Sequence, residues 1–135
     1  MMSQGITYRR HTNNLIKYFR DMSTILLKTG RGTFHIVNTA EIVFVERLKA
    51  RSRVFLADKN LRVNVPFLDL CAILDDRFQQ CHRKFLVNLD CINKFTNRSI
   101  LLNTNVSLPM GMQFKNQFTE KLMNHISNQT VRKSI

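Results

Sequence analysis

The segment 41–46, with the sequence EIVFVE, is apolar on both faces of an extended chain. Ile42 and Phe44 would point to one side of a strand. Val43 and Val45 would point to the other side, because successive side chains of a strand alternate. A strand that is apolar on both sides must be covered on both sides. The pattern therefore predicts a layered β-structure, in which one sheet packs against a second layer.

Shorter segments on both sides of this strand also indicate β-structure. Alternating apolar residues and turn-forming residues predict strands over 24–28, 33–38, 53–57, 61–65, 85–89, 92–95, 99–102 and 106–108. Pro66 suits the first position of a helix, which an apolar stripe continues to Leu74. A last helix is predicted from Met112 to Ile126. The predicted class is mainly β, a β-sandwich of many short strands with one short middle helix and a C-terminal helix.

The two ends of the chain differ from this central part. Residues 1–22 are basic, and their apolar side chains recur at helical spacing at Leu15, Ile16, Phe19 and Met22. They indicate either a short amphipathic helix or a tail that becomes ordered on contact. The predicted organisation is an N-terminal extension over 1–22, one domain over 23–126 and a C-terminal tail over 127–135.

The charge balance is strongly positive, with 21 Lys and Arg residues against 9 Asp and Glu, a formal net charge of +12. Such a charge adds nothing to the stability of a compact domain, because like charges repel. A smaller charge would be enough for solubility alone. A polyanionic partner explains the excess better, and nucleic acid is the first candidate.

Several sequence features predict a cytoplasmic protein. The longest aliphatic or aromatic run has four residues, from Ile42 to Val45, which is too short to cross a bilayer. The N-terminal residues lack the apolar core of a secretory signal. The three cysteines, which follow no pairing scheme, fit a reducing compartment; they are Cys71, Cys81 and Cys91.

The sequence contains no recognisable catalytic or metal-binding pattern. Asp75 and Asp76 are adjacent, and a solvated helix end explains them better than an acid–base pair does. Cys81 and His82 would point to opposite faces of an extended segment, which disfavours a shared metal ion. We therefore expect no enzyme activity, no cofactor, no metal site and no small-molecule substrate.

The residues suited to binding are concentrated in three basic clusters. The first is the segment 47–53, which carries four cations between two apolar strands. Its Lys49, Arg51 and Arg53 would reach phosphates, and an arginine can also form two hydrogen bonds with a guanine edge in the major groove. The alternative is an exposed cationic turn that has no partner.

The other two clusters lie further along the chain. His82, Arg83 and Lys84 stand just ahead of a predicted strand. Gln113 and Lys115 begin the last predicted helix, whose free N–H groups would attract a phosphate. Plain surface is the alternative for Gln113. Three separated basic clusters predict a surface that follows a nucleic-acid backbone.

The run of residues 74–92 resembles the signature of the LytTR DNA-binding domain. The positions that match the family pattern are His82, Phe85, Val87, Asn88 and Ile92. The EIVFVE segment is similar to the family's strand before a variable basic loop, and residues 106–109 and the last helix are similar to its end. The resemblance covers about residues 23–126.

This resemblance implies an elongated β-sandwich-like domain that regulates transcription by binding repeated sites in bacterial promoter DNA, often with two copies per operator. It implies base or phosphate contacts from the basic loop, from the His82–Arg83 pair and from residues just after Pro109. Within the segment 47–53 these are Lys49, Arg51 and Ser52. After Pro109 the family usually has an arginine or similar polar residue where this chain has Met112, and Gln113 and Lys115 would substitute for it.

The resemblance also bears on regulation and on Asn88. With 22 residues ahead of the first predicted strand, no receiver domain is expected, and a membrane protein that holds the regulator is the implied partner. Residues 1–22 are the expected contact for that partner or for a second protomer. Asn88 is interpreted as a structural residue that holds a turn through a bond from its side chain to the backbone.

Two other functions remain open at this point. One is a ribosome-associated RNA-binding β-module, which would need exposed aromatic side chains on a sheet face. Phe44, Phe85 and Phe95 are predicted to lie in the core instead. The other is a module whose basic face binds an acidic protein.

Overall fold

The computed structural model describes residues 6–11, 14–19 and 24–134, and these residues are mainly β. The strands are β1 (Ile6–His11), β2 (Asn14–Phe19), β3 (Thr24–Gly30), β4 (Thr33–Asn38), β5 (Ile42–Arg47), β6 (Ser52–Leu56), β7 (Asn60–Val63), β8 (Phe78–His82), β9 (Phe85–Asn88), β10 (Ile92–Phe95), β11 (Ser99–Leu102) and β12 (Ser107–Pro109). The helices are α1 (Phe67–Ile73) and α2 (Lys115–Ser134). The predicted mainly-β class is confirmed, with several antiparallel sheets and two helices.

The chain divides into two compact units, Met1–Ile73 and Leu74–Ile135. In the first unit, β1 to β4 form an antiparallel sheet in chain order, and β6 pairs antiparallel with both β5 and β7. In the second unit, β8 and β9 form an antiparallel hairpin, and β10 to β12 form an antiparallel sheet in chain order. The predicted boundaries of extension, domain and tail stay a prediction.

The core of the first unit contains the EIVFVE strand. All four apolar side chains of 42–45 are buried, as expected for a strand that is covered on both faces. Phe44 lies directly opposite Phe55 on β6, and the two rings stack with centroids 4.1 Å apart. The rest of this core comes from the neighbouring strands and α1, at Ile25, Leu27, Val37, Val54, Val63, Val65, Phe67 and Leu70.

The core of the second unit is formed by short strands and by one face of α2. Phe118 of α2 is fully buried, and its ring meets the Phe95 ring edge to face at 6.1 Å. The other buried apolar side chains are Leu74, Phe78, Cys81, Leu86, Val87, Leu89, Ile100, Leu102, Leu108, Met110 and Leu122. The apolar stripe of α2 drifts off this face, because Ile126 is exposed.

Each of the two units has a strand that is followed by the same local structure. β4 and β9 each end in an asparagine that is followed by one 3₁₀ turn, and Asn88 Oδ1 accepts a hydrogen bond from the Asp90 N–H at 2.9 Å. Asn38 makes the same bond with the Ala40 N–H at 2.9 Å. The structural role expected of Asn88 is confirmed, because its side chain is buried and caps the turn.

Two predicted features differ from the structure, and two strands were not predicted. Of the two alternatives for the N-terminal residues, the helix near Leu15 and Phe19 is wrong, because Asn14–Phe19 is a strand that pairs with both β1 and β3. Met22 lies outside the described residues. The predicted end of the last helix at Ile126 is also wrong, because α2 continues to Ser134. Strands β1 and β8 were not predicted.

The reason for missing β8 is a bulge. Register with β9 shifts between Gln80 and His82, so that Phe78 and Cys81 are both buried although they are three positions apart. This spacing hides the period of two by which a strand is recognised.

Neither helix, within the described residues, is long and apolar enough to span a membrane.

Candidate nucleic-acid interface

The first basic cluster lies at the tip of the hairpin between β5 and β6. The N–H of Leu48 donates to the carbonyl of Arg51 at 3.0 Å and closes the turn. Lys49 and Arg51 are exposed at this tip. We call residues 48–51 the basic loop. Its two cationic side chains extend from a hydrogen-bonded turn whose strands continue into the buried core.

The residues beside the basic loop have structural contacts of their own. The guanidinium carbon of Arg47 lies 5.7 Å from the centroid of the Phe67 ring, a cation–π contact within the first unit. Arg53 is half-buried on β6, and its Nε has no hydrogen-bond partner among the described residues. Lys49 and Arg51 are therefore more accessible than Arg53, which is only partly exposed.

Ser52 differs from the other predicted contact residues. It is fully buried, and its hydroxyl donates a 2.7 Å hydrogen bond to the carbonyl of Val65. The bond ties the start of β6 to the residue before Pro66 and α1. This burial argues against Ser52 as a DNA contact, and we leave it out of the proposed interface.

The second basic cluster is the turn between β8 and β9. Arg83 and Lys84 form this two-residue turn and are both exposed. His82 ends β8 opposite Phe85, and the two rings lie 5.8 Å apart. We call residues 82–84 the basic turn. Two cations and one imidazole are held within one hairpin connection.

The imidazole of His82 is polarised by its neighbours. Its Nδ1 accepts a 3.1 Å hydrogen bond from the backbone N–H of Lys84. Burial lowers the pKa of His82 below 6.5, and the charges of Arg83 and Lys84 lower it further. The neutral ring therefore carries its proton on Nε2, because Nδ1 is an acceptor. A neutral ring of this kind can donate one hydrogen bond, as base edges and phosphate oxygens require.

The third cluster lies beside the basic turn. The N–H of Gly111 donates to the carbonyl of Cys81 at 2.8 Å, and a Cβ on Gly111 would lie 3.6 Å from the Cα of His82. Gln113, which is exposed, and Lys115, which is half-buried, follow within four residues of Gly111. The second unit thus brings two predicted clusters together that are separated by almost thirty residues in sequence.

The cations of the basic loop and of the basic turn are available to bind an anion. No carboxylate of the described residues lies within ion-pair distance of Lys49, Arg51, Arg83 or Lys84. Carboxylates of the second unit have partners elsewhere: Asp75 forms an ion pair with Arg77 at 3.2 Å, and Asp90 Oδ1 lies 2.6 Å from His125 Nε2. Unneutralised cations are what phosphate binding needs.

The thiols and acids of the described residues offer no comparable site. Burial raises the pKa of Cys81 to about 12 and that of Cys71 to about 11, so both thiols are protonated at neutral pH. Burial and the nearby Asp90 raise the pKa of Cys91 as well. Over the described part of the chain, no three His, Cys, Asp or Glu side chains are grouped as metal ligands.

Sequence reasoning did not identify Gly111, the residue that joins the third cluster to the second. The signal would have been a glycine between the last strand and the last helix, where a backbone approaches another closely.

The basic loop belongs to the first unit, whereas the basic turn, Gln113 and Lys115 belong to the second.

Comparison with known proteins agrees with this fold. Residues 32–123 match the sequence model of the LytTr DNA-binding domain. The structure is similar to that of the LytTr DNA-binding domain of a Bacillus cereus protein described as a methyl-accepting/DNA response regulator. The two share 18% sequence identity with a TM-score of 0.62, over 74% of this chain and 96% of that one. A comparison with curated proteins finds no match.

Proposed function

This chain belongs to the LytTR DNA-binding domain family, and on that premise we propose that it is a transcription regulator that binds repeated promoter sites sequence-specifically. The observation that carries the proposal is the pairing of the basic turn with the segment 111–115, through the hydrogen bond from Gly111 to Cys81. It gives one surface with exposed cations, a neutral imidazole donor and an exposed amide.

Each group of this surface, and each group of the first basic cluster in the first unit, is suited to one kind of DNA contact. Arg51 and Arg83 extend from turns and are suited to guanine, because a guanidinium can donate to O6 and N7 together. His82 can donate one hydrogen bond to a base edge. The groups for phosphate are Lys49, Lys84 and Lys115, with Gln113 as a neutral donor and Arg53 as a partly accessible one.

Further parts of the proposal concern the setting in which the protein acts. We place it in the cytoplasm, because its three cysteines are unpaired in the structure and the DNA of bacteria is there. Two copies per operator and regulation by a membrane-protein partner are supported by the family resemblance alone. For residues 1–22 the expected contact no longer rests on an amphipathic helix, since β1 and β2 are strands.

The test of the proposal is selection of bound duplexes from a random pool, followed by competition. We expect a short repeated motif, and the selected duplex should compete better than a scrambled duplex, the matching RNA or a polyglutamate peptide. Better competition by the RNA would favour an RNA-binding module, and better competition by the peptide a protein-binding one. Enrichment of no motif would contradict sequence-specific binding.

Salt dependence tests the electrostatic part separately. If the surface makes 6–10 phosphate contacts, affinity should fall about 10³- to 10⁵-fold between roughly 50 and 200 mM salt. Lys59→Ala is the matched control for the loss of a lysine from the basic loop. Lys59 is an exposed cation in another hairpin connection of the first unit. Affinity that stays constant over this range would contradict the assignment of the basic loop and basic turn.

A further inference from the structure

Met112 is unusual among the large apolar residues of this protein. Its side chain is 93% exposed, more than any other large apolar side chain among the described residues; the next is Ile36 at 76%. It begins the 3₁₀ turn Met112–Phe114 ahead of α2. Such exposure means that the thioether contributes nothing to the core, and folding does not explain its presence there.

The position of Met112 relates it to the basic turn. The residue before it, Gly111, is hydrogen-bonded to Cys81 and lies against the backbone of His82. The residue after it, Gln113, is exposed. Met112 is therefore the most exposed apolar side chain of the segment 111–115, which adjoins the basic turn.

The edges of base pairs in the major groove carry mostly hydrogen-bonding groups. The C5 methyl group of thymine is the apolar exception. Methionine is unbranched, polarizable and adaptable in shape, which suits contact with a single methyl group. The charged head of a lysine or arginine gains nothing from contact with a methyl group, and the basic turn supplies the charge beside it.

We propose that Met112 reads a thymine by contact with its C5 methyl group, and so sets part of the base preference of this protein. The inference rests on the proposed function, because it names the base that one residue of the same surface recognises. Burying one methyl group contributes enough to change affinity roughly fourfold. A contact by Met112 should therefore appear as a small preference at one position of each site.

The experiment uses the duplex selected from the random pool, with each thymine replaced by uracil in turn. Uracil keeps every hydrogen-bonding group of thymine and lacks only the methyl group. The native protein should bind roughly fourfold more weakly when one particular thymine is replaced. Met112→Ala should bind the thymine and uracil duplexes alike at that position, whereas Met112→Leu should retain part of the difference.

Met123→Ala is the control variant, because Met123 is a second exposed methionine, on α2, at 60%. It should keep the full difference between thymine and uracil. Since Met112 is exposed, its variants should unfold at the same temperature as the native protein, which a melting curve checks.

The outcomes distinguish the inference from the function on which it rests. If no duplex is enriched, the proposed function is wrong. If a motif is enriched but uracil is tolerated at every position, Met112 reads no methyl group. If the sensitivity to uracil persists unchanged in Met112→Ala, another residue or the stiffness of the duplex causes it, and the inference is overturned.

Discussion

The peptide N–H of Gly111 donates a 2.8 Å hydrogen bond to the carbonyl of Cys81, and this bond holds the start of the segment before α2 against the end of β8. The contact is close, since a Cβ on Gly111 would lie 3.1 Å from Cδ2 of Phe114 and 3.6 Å from Cα of His82. The backbone of Gly111, at φ −76° and ψ 138°, is one that any residue adopts. Lack of space, rather than backbone strain, therefore limits this position.

Enlarging Gly111 should separate the two halves of the surface. Gly111→Ala asks the Phe114 ring to move by a few tenths of an ångström, and we expect little loss of DNA affinity. Gly111→Val adds an isopropyl group next to Phe114 and His82, and we expect it to lower the free energy of unfolding by about 1–3 kcal/mol. At temperatures where it is folded, Gly111→Val should also bind the selected duplex more weakly. Chemical denaturation and fluorescence anisotropy measure the two effects.

Gly30→Val is the control, because nothing lies within 4 Å of a Cβ at Gly30. It should leave DNA binding unchanged. Native affinity in a folded Gly111→Val variant would show that the spacing between the basic turn and the segment 111–115 is unimportant for binding.

Arg83 and Lys49 should differ in how their loss affects binding. Arg83→Ala removes a side chain suited to two hydrogen bonds with guanine, so it should cost about 1–3 kcal/mol of discrimination at one base pair. Lys49→Ala should weaken binding to all duplexes alike and reduce the salt slope by about 1. Titrations with the selected duplex and with its single-base variants separate the two results.

The matched control is Lys59→Ala, which removes the same charge from an exposed position outside the proposed surface. Unchanged base preference in Arg83→Ala would remove Arg83 from the proposed base contacts. A loss of preference at a single base pair in Lys49→Ala would assign that lysine to base recognition instead.

Much of the β-structure was predictable, because burial imposes a local pattern on the sequence. The segment 42–45 is apolar at every position and is buried at every position. The helix prediction for the segment 14–19 is wrong because the local pattern does not decide its structure. Its apolar spacing fits a helix, but pairing with β1 and β3 decides its structure, and hydrogen bonds to neighbouring strands leave no periodicity within one segment.

The residues of the candidate surface were largely named from the sequence, whereas their arrangement was not. Arg83 and Lys115 stood out as cations. That Gly111 meets Cys81 depends on β8 being a strand, and the bulge between Gln80 and His82 concealed that strand. The burial of Ser52 depends on the carbonyl of Val65, thirteen residues away, which no local pattern reveals.

Ser52 should prove to be a stability residue. Ser52→Ala leaves the buried carbonyl of Val65 without its 2.7 Å donor, and we expect the free energy of unfolding to fall by about 1–3 kcal/mol. DNA affinity of the folded variant should be native, because the side chain is fully buried. Denaturation curves and duplex titrations measure the two quantities. Ser107→Ala, at an exposed serine, should change neither.

A different result would return Ser52 to the interface. Native stability of Ser52→Ala together with weaker binding of the selected duplex would mean that the hydroxyl turns outward and contacts DNA. Such a result would also require the start of β6 to open, because Ser52 pairs with both Arg47 and Val63.

The folded protein should bind fewer protons at His82 than the unfolded chain does. Burial and the charges of Arg83 and Lys84 place the folded pKa below the ordinary value of 6.5. A lowered folded pKa contributes stability that is complete above pH 6.5 and is lost as the pH falls through the folded pKa. His82→Gln should therefore reduce the loss of stability on acidification below pH 6.5, as measured by denaturation at a series of pH values.

The same charges give a direct test of the basic turn by NMR. Replacing both Arg83 and Lys84 by alanine should raise the His82 pKa towards 6.5, because two positive neighbours that oppose protonation are lost. Adding the selected duplex to the native protein should also raise it, because nearby phosphates favour the imidazolium form. The chemical shift of the imidazole protons, followed against pH, measures both changes. A pKa that the duplex leaves unchanged would place the bound DNA away from His82, and a native pKa at or above 6.5 would contradict the charge environment described for the turn.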